Sequence, residues 1–173
     1  ITASHNPANY NGFKYKPDYG GSASPEIVEQ LENRIAAVEG HRVINRMSLV
    51  DAERQGLLEV FDPEPEYLAH LATIVDVQAI RNAGLNVVVD SMYGSGAGYL
   101  KKLLEGGSTR IIELHGERNP AFPGIAQPEP IAPNLTELME AVQDHTADVG
   151  LATDGDADRR GAVDENGNFV TTR

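Results

Sequence analysis

The 173-residue chain has no cysteine and no tryptophan, and only 14 lysines and arginines stand against 26 aspartates and glutamates. Without cysteine there are no disulfides, no thiolate metal sites and no cysteine nucleophile. The shortage of basic groups gives a formal net charge of −12. That leaves no basic stripe to displace counterions from a phosphate backbone, so no nucleic-acid partner is expected. No apolar run approaches the ~20 residues of a membrane-spanning helix, so no membrane partner is expected either. What remains is ordinary for a globular protein, with 40% hydrophobic and 23% charged residues. The length suits one domain, or one domain and part of another. The expectation at this level is an acidic cytoplasmic protein.

The chain opens at Ile1 directly on a polar loop, Thr2-Ala3-Ser4-His5-Asn6-Pro7, and closes on Phe169-Val170-Thr171-Thr172-Arg173 without a helix or polar tail. A loop is positioned by the elements on both sides of it. An internal piece of a longer protein is therefore expected.

Asn11-Gly12 marks a tight turn, and Phe13 to Lys16 alternates as a strand does. Ser24-Pro25 is a good helix start, followed by Ile27, Leu31, Ile35 and Val38 on one face up to Gly40. Residues 41–61 are mixed, with weak strand signals at Val43-Ile44 and from Leu57 to Phe61, and a domain boundary is placed there. Asp62-Pro63 starts a second helix, carrying Tyr67, Leu68, Leu71, Ile74, Val75 and Ile80 to Gly84. Leu85 to Val89 is an apolar run ending at Asp90, the pattern of a strand buried on both faces. A Gly-rich turn, a short helix from Tyr99 and a strand from Thr109 to Leu114 follow. The stretch from Asn119 to Pro133 is too rich in proline for a helix or a central strand. Asn134 is expected to cap a helix bearing Leu135, Leu138, Met139 and Val142. Val149 to Ala152 reads as another buried strand, and Gly161 to Val170 as a hairpin turning at Glu165-Asn166-Gly167. This alternation predicts an α/β fold with a mixed, largely parallel sheet flanked by helices.

Asp154-Gly155-Asp156-Ala157-Asp158-Arg159 follows that last buried strand, and sites in open α/β sheets gather at strand carboxyl ends. Three alternating aspartates separated only by Gly and Ala can curl towards one centre, where they repel one another unless a cation sits among them. A lone D-x-D is commonly a solvated turn; three aspartates behind a buried strand favour a cation. Hard carboxylate oxygens without His or Cys suit Mg²⁺. A calcium-loop reading fails because Arg159 stands where the sharp turn needs glycine. An apolar strand before D-x-D also fits an Asp-nucleophile phosphatase of haloacid-dehalogenase type. That reading leaves Asp158 and the opening motif without roles. Ser4 and His5 are adjacent, with no G-x-S-x-G elbow, which is not the arrangement of a serine hydrolase.

Taken together, Thr2 to Lys14 (TASHNPANYNGFK) and Asp154 to Arg159 (DGDADR) resemble the α-D-phosphohexomutases, the family of phosphoglucomutase and phosphomannomutase. The likeness extends through Val87-Val88-Val89-Asp90, Pro128-Glu129-Pro130, Asn134-Leu135 and Ala147-Asp148. It implies the family's three-layer α/β domains, with residues 1–61 the closing part of the first domain and 62–173 the second. It implies reversible phosphoryl transfer between the 1- and 6-positions of a hexose phosphate, with a hexose 1,6-bisphosphate as intermediate and activator. Ser4 would carry the phosphoryl group. Asp154, Asp156 and Asp158, with the phosphate on Ser4, would hold Mg²⁺. His5 and Lys14 would lie beside the reacting hydroxyl and phosphate, either one serving as general acid or base. Arg159 would grip phosphate or modulate proton transfer, Asp158 would also face the substrate, and Asn6 would fix the loop. Glucose, mannose and glucosamine phosphates all stay open, although Thr2 leans away from the glucosamine branch. The family's sugar-reading and phosphate-gripping loops of its third and fourth domains do not appear, so this piece alone is expected to be nearly inactive. Arg160 departs from the family pattern and is expected in solvent. His41, His70, His115 and His145 have no partners by spacing and are expected to be surface or structural. The alternatives are the Asp-nucleophile phosphatase and a non-catalytic Mg²⁺-binding fragment.

Overall fold

The structure, a computed structural model, describes residues 1–41 and 44–171. The chain forms two compact units, one of Ile1–Phe13 with Leu68–Arg173 and a smaller one of Lys14–Tyr67.

In the smaller unit, helix α1 spans Pro25–His41 and α2 spans Leu49–Arg54. Along α1, Ile27 and Leu31 are half-buried while Ile35 and Val38 are exposed. The weak strand signals of this region do not become strands among the described residues, and Val43 lies outside them. α2 forms instead, because Ser48 caps it by accepting the Asp51 amide at 3.1 Å. Lys14 to Lys16, read as part of a strand, are irregular, as is Phe13 in the larger unit. They have no partner strand among the described residues, and alternation without a ladder does not make a strand.

The single helix expected over 62–84 is two, α3 Glu64–Ile74 and α4 Val77–Arg81. Asp76 interrupts it, its carboxylate accepting the Ala79 amide at 2.9 Å and capping α4. Strand β1 Asn86–Asp90 follows, then α5 Tyr99–Leu104, β2 Arg110–Leu114, α6 Thr136–Asp144, β3 Val149–Thr153, β4 Arg160–Val163 and β5 Phe169–Val170. Asn134 does not cap α6. It ends a 3₁₀ turn, Ala132–Asn134, and its Nδ2 donates to the Glu129 carbonyl at 2.9 Å, tying down the Pro-rich segment.

The sheet order is β2-β1-β3-β4-β5. β1 pairs in parallel with β2 and β3, and β4 and β5 form the antiparallel hairpin at the β3 side. Val87 to Asp90 are all buried, as expected for a strand covered on both faces. α6 packs across β1 and β3, with Leu138 and Val142 fully buried among Val88, Met92, Ala152 and Val163. Gly150 makes this approach possible, since a Cβ there would stand 2.7 Å from Val142 Cγ2.

The chain leaves β1 for β2 on one side and returns to β3 on the other, so the connections diverge between the carboxyl ends of β1 and β3. This is the crevice where open α/β sheets bind ligands. Among the described residues no helix is long and apolar enough to cross a membrane.

Candidate active site

Both segments singled out in the sequence meet at that crevice. The aspartate loop leaves β3 as a tight turn in which Ala157 N donates to the Asp154 carbonyl at 3.0 Å. Ala157 takes a left-handed conformation, φ 59°. The Arg159 amide donates to Asp154 Oδ1 at 2.9 Å, closing the loop on its own first carboxylate. Carboxylate oxygens of Asp154, Asp156 and Asp158 lie within 4.8 Å of one another.

Asp154 is fully buried, and its Oδ2 has no hydrogen-bond partner. Burial pushes its carboxyl above the ordinary value. The Arg159 N–H bond opposes this, and the charges of Asp156 and Asp158 push the same way as burial. An orphaned oxygen buried among three converging carboxylates is costly as it stands and is relieved by a cation. The donor set is all hard oxygen, which fits Mg²⁺.

The opening loop docks against this turn. Its ends are joined by the Thr2 amide donating to the Gly12 carbonyl at 3.0 Å. Ser4 is left-handed, φ 54°, a conformation uncommon for a residue with a side chain. Thr2 Oγ1 accepts the Ser4 amide at 2.8 Å, and Asn6 Nδ2 donates to the Ala3 carbonyl at 2.8 Å. Folded this way, Ser4 Oγ lies 3.4 Å from Asp156 Oδ1. The two loops touch so closely that a Cβ on Gly155 would collide with the Ser4 carbonyl oxygen.

His5 Nδ1 stands 3.5 Å from Ser4 Oγ and 2.7 Å from Arg159 Nη1. A guanidinium only donates, so Nδ1 here is an acceptor and the ring proton belongs on Nε2. Nε2 faces Glu129 Oε1 at 4.0 Å, and the same oxygen is 3.7 Å from Arg159 Nη1. Glu129 is in turn held by Gln127 Nε2, which donates to its Oε2 at 2.7 Å. Glu129 therefore supplies a counter-charge to Arg159 and faces the Nε2 side of the His5 ring. In the sequence it was visible only as the middle of Pro128-Glu129-Pro130, because nothing local shows that the Pro-rich segment passes behind the opening loop.

Beside Ser4 is a cavity of about 600 Å³, lined by Ser4, Tyr10, Tyr93, Ser95, Arg118 and Asp156 among others. That volume is in the range of small-molecule sites. Ser4, His5, Asn6, Asp154, Asp156, Asp158 and Arg159 thus fall in one region of the larger unit. Lys14 opens the smaller unit. Arg160, His70 and His145 are exposed. The side chain of His41 lies outside the described residues. The expectation that His115 has no partner is overturned: its Nδ1 is 2.9 Å from the buried Asp90 and its Nε2 3.3 Å from Glu137. Spacing along the chain could not reveal a pair formed between the ends of two adjacent strands.

Comparison with known proteins gives this site its context. The family model for phosphoglucomutase/phosphomannomutase alpha/beta/alpha domain II matches residues 65–167, and that for alpha/beta/alpha domain I matches residues 1–42. The chain belongs to the phosphoglucomutase/phosphomannomutase family, the phosphohexomutases. It is 35% identical to a "probable phosphoglucosamine mutase" of Methanothermobacter thermautotrophicus, over 99% of this chain and 35% of that protein. It is 32% identical to a phosphoglucomutase of Neisseria meningitidis serogroup B, over 98% of this chain and 34% of that one. A crystal structure of a phosphoglucomutase/phosphomannomutase family protein from Burkholderia thailandensis superposes with a TM-score of 0.75 at 26% identity, covering 98% of this chain and 33% of that one. The chain thus spans about a third of the length of the relatives it matches.

Proposed function

We propose that this chain carries the phosphoryl-transfer half of a phosphohexomutase, with Ser4 as the phosphoryl carrier. The observation that carries the reading is the position of Ser4 Oγ, 3.4 Å from Asp156 in the three-aspartate cluster and 3.5 Å from His5 Nδ1. The left-handed backbone at Ser4 holds its hydroxyl beside the three aspartates.

In the proposed reaction, phosphoserine 4 gives its phosphoryl group to a hydroxyl of a hexose phosphate. The Ser4 Oγ–P bond breaks and the sugar O–P bond forms, giving a hexose 1,6-bisphosphate. The bisphosphate turns round, and its other phosphoryl group returns to Ser4. In the phosphoserine state the His5 ring also carries a proton on Nδ1; it hands this to Oγ as Oγ departs, which leaves Nδ1 the acceptor seen beside unphosphorylated Ser4, and takes it back when Oγ attacks. Lys14, which the resemblance puts beside the reacting hydroxyl and phosphate without fixing its role, is proposed as the base that takes up the proton of the accepting hydroxyl. Arg159 orients His5 and offers its remaining N–H groups to phosphate oxygens. Asn6 holds the loop and Asp158 faces the substrate. Mg²⁺ held by Asp154, Asp156 and Asp158 supplies neutralisation of charge on the phosphoryl oxygens. With little covalent chemistry for the protein to perform, positioning and electrostatics provide most of the acceleration.

Residues 1–61 are proposed to be the closing part of the first domain and 62–173 the second, in a cytoplasmic enzyme activated by hexose 1,6-bisphosphate. The relatives carry the names of phosphoglucomutases and phosphoglucosamine mutases alike, so the preferred sugar is a matter for assay. The comparisons lend no support to the Asp-nucleophile phosphatase or to a non-catalytic fragment. The test is conversion of glucose 1-phosphate to glucose 6-phosphate by the full-length protein with Mg²⁺ and a trace of glucose 1,6-bisphosphate. Turnover is expected to vanish in Ser4→Ala and to be nearly absent from residues 1–173 alone. Release of free phosphate that survives Ser4→Ala, without isomerisation, would overturn the reading.

A further inference from the structure

A second polar cluster lies outside the reacting groups, at the carboxyl ends of β1 and β2. Asp90 is only 1% exposed. Its Oδ1 accepts the Met92 amide at 2.8 Å and meets His115 Nδ1 at 2.9 Å. The His115 ring packs against Tyr93, tilted by 43° with centroids 4.4 Å apart, and its Nε2 lies 3.3 Å from Glu137 of α6. Met92, Tyr93 and His115 are all left-handed, at φ 45°, 58° and 47°. Three such residues with side chains persist only where their surroundings over-determine them. Here the surroundings are the Asp90 bonds and the Tyr93 amide donating to the His115 carbonyl at 3.0 Å.

That strained turn delivers Gly94 and Ser95 to the metal loop. Ser95 N donates to the Gly155 carbonyl at 3.1 Å. A Cβ on Gly94 would stand 2.8 Å from the Gly155 oxygen and 3.0 Å from that of Asp154. The two sides of the turn are tied to β2 as well, since Glu113 Oε1 accepts both Ser91 Oγ and the Gly98 amide at 2.7 Å. The backbone of the first metal-binding aspartate is therefore braced by a turn whose shape Asp90 and His115 fix.

We propose that Asp90 and His115 are positioning residues for the metal loop: by fixing the turn at Met92–Tyr93 they press Gly94–Ser95 against Asp154–Gly155 and so set the spacing of the three carboxylates. Neither touches substrate or phosphoryl group; they act through the backbone. The proposal rests on the reading of Asp154, Asp156 and Asp158 as a cation site. Outer partners of this kind typically tune metal affinity 10–100-fold when removed.

The test is Mn²⁺ titration by electron paramagnetic resonance on the full-length protein, with hydrogen exchange of residues 153–160 followed without metal. His115→Leu is expected to weaken Mn²⁺ by about tenfold or more and to speed exchange in the metal loop. His115→Asn, whose amide keeps a donor near the Nδ1 position, should restore both. Gly94→Ala should reproduce the loss with His115 intact. Wild-type Mn²⁺ affinity and wild-type loop exchange in a folded His115→Leu protein would overturn the proposal, as would His115→Asn behaving like His115→Leu. Should His115→Leu not fold, wild-type affinity and exchange in Gly94→Ala would overturn it. A wild-type protein that binds no Mn²⁺, with loop exchange still faster in His115→Leu, would refute the cation reading and leave the positioning role standing.

Discussion

At the scale of single residues, Asp154 concentrates the electrostatics of the site. One oxygen accepts the Arg159 amide and the other is buried without a partner. Its carboxyl is pushed up in the folded protein, chiefly by burial. A raised folded pKa means the folded state holds its proton more tightly than the unfolded one. Stability of the metal-free protein therefore falls as pH rises from the ordinary aspartate value through the raised one. A bound cation removes that penalty. The melting temperature measured in Mg²⁺ minus that in chelator is thus expected to widen from pH 4 to pH 7, and to stay flat in Asp154→Asn. A difference independent of pH in the wild type would contradict this. The aspartate cluster was legible from side-chain type and spacing, Asp154-x-Asp156-x-Asp158, whereas Ser4, His5, Lys14 and Arg159 were singled out by the resemblance of their motifs. Glu129 was not legible, because its role comes from segments brought together only by the fold.

At the scale of elements, the site is a product of strand order. β1 and β3 are neighbours although β2 comes between them in sequence, so the turn after β1 and the loop after β3 share one crevice. The individual strands and the closing hairpin could be read from apolar runs and turn residues. Their order could not, because each run reports burial and not its neighbour. The helix over 62–84 was misread because its apolar stripe continues across Asp76, whose capping bond to Ala79 breaks the helix without altering the periodicity. Contact between the two active loops depends on Gly155, where a side chain would collide with the Ser4 carbonyl. Gly155→Ala in the full-length enzyme is expected to cost about 100-fold in kcat, as displacements near 1 Å at a reacting centre do. Its melting temperature should shift little, because the loop lies outside the apolar core. Unchanged kcat would show that the loops do not need this approach.

At the scale of the whole molecule, a net charge of −12 looks unsuited to anionic sugar phosphates. The resolution lies in local placement. Arg159 and His5 stand beside Ser4, Arg118 lines the adjoining cavity, and the aspartates are arranged to be offset by a cation. The chain spans about a third of its relatives' length. What this third brings together at the carboxyl ends of β1 and β3 is the proposed carrier Ser4, with His5, Arg159 and the three aspartates proposed to hold a cation. The central claim is that Ser4 is the phosphoryl carrier. It is tested most directly by incubating the full-length protein with Mg²⁺ and radiolabelled glucose 1,6-bisphosphate, then locating the label by mass spectrometry. The account predicts one phosphoryl group on Ser4, transferable to added hexose monophosphate and absent from Ser4→Ala. Label on Asp154 or Asp156, or on no residue at all, would contradict it.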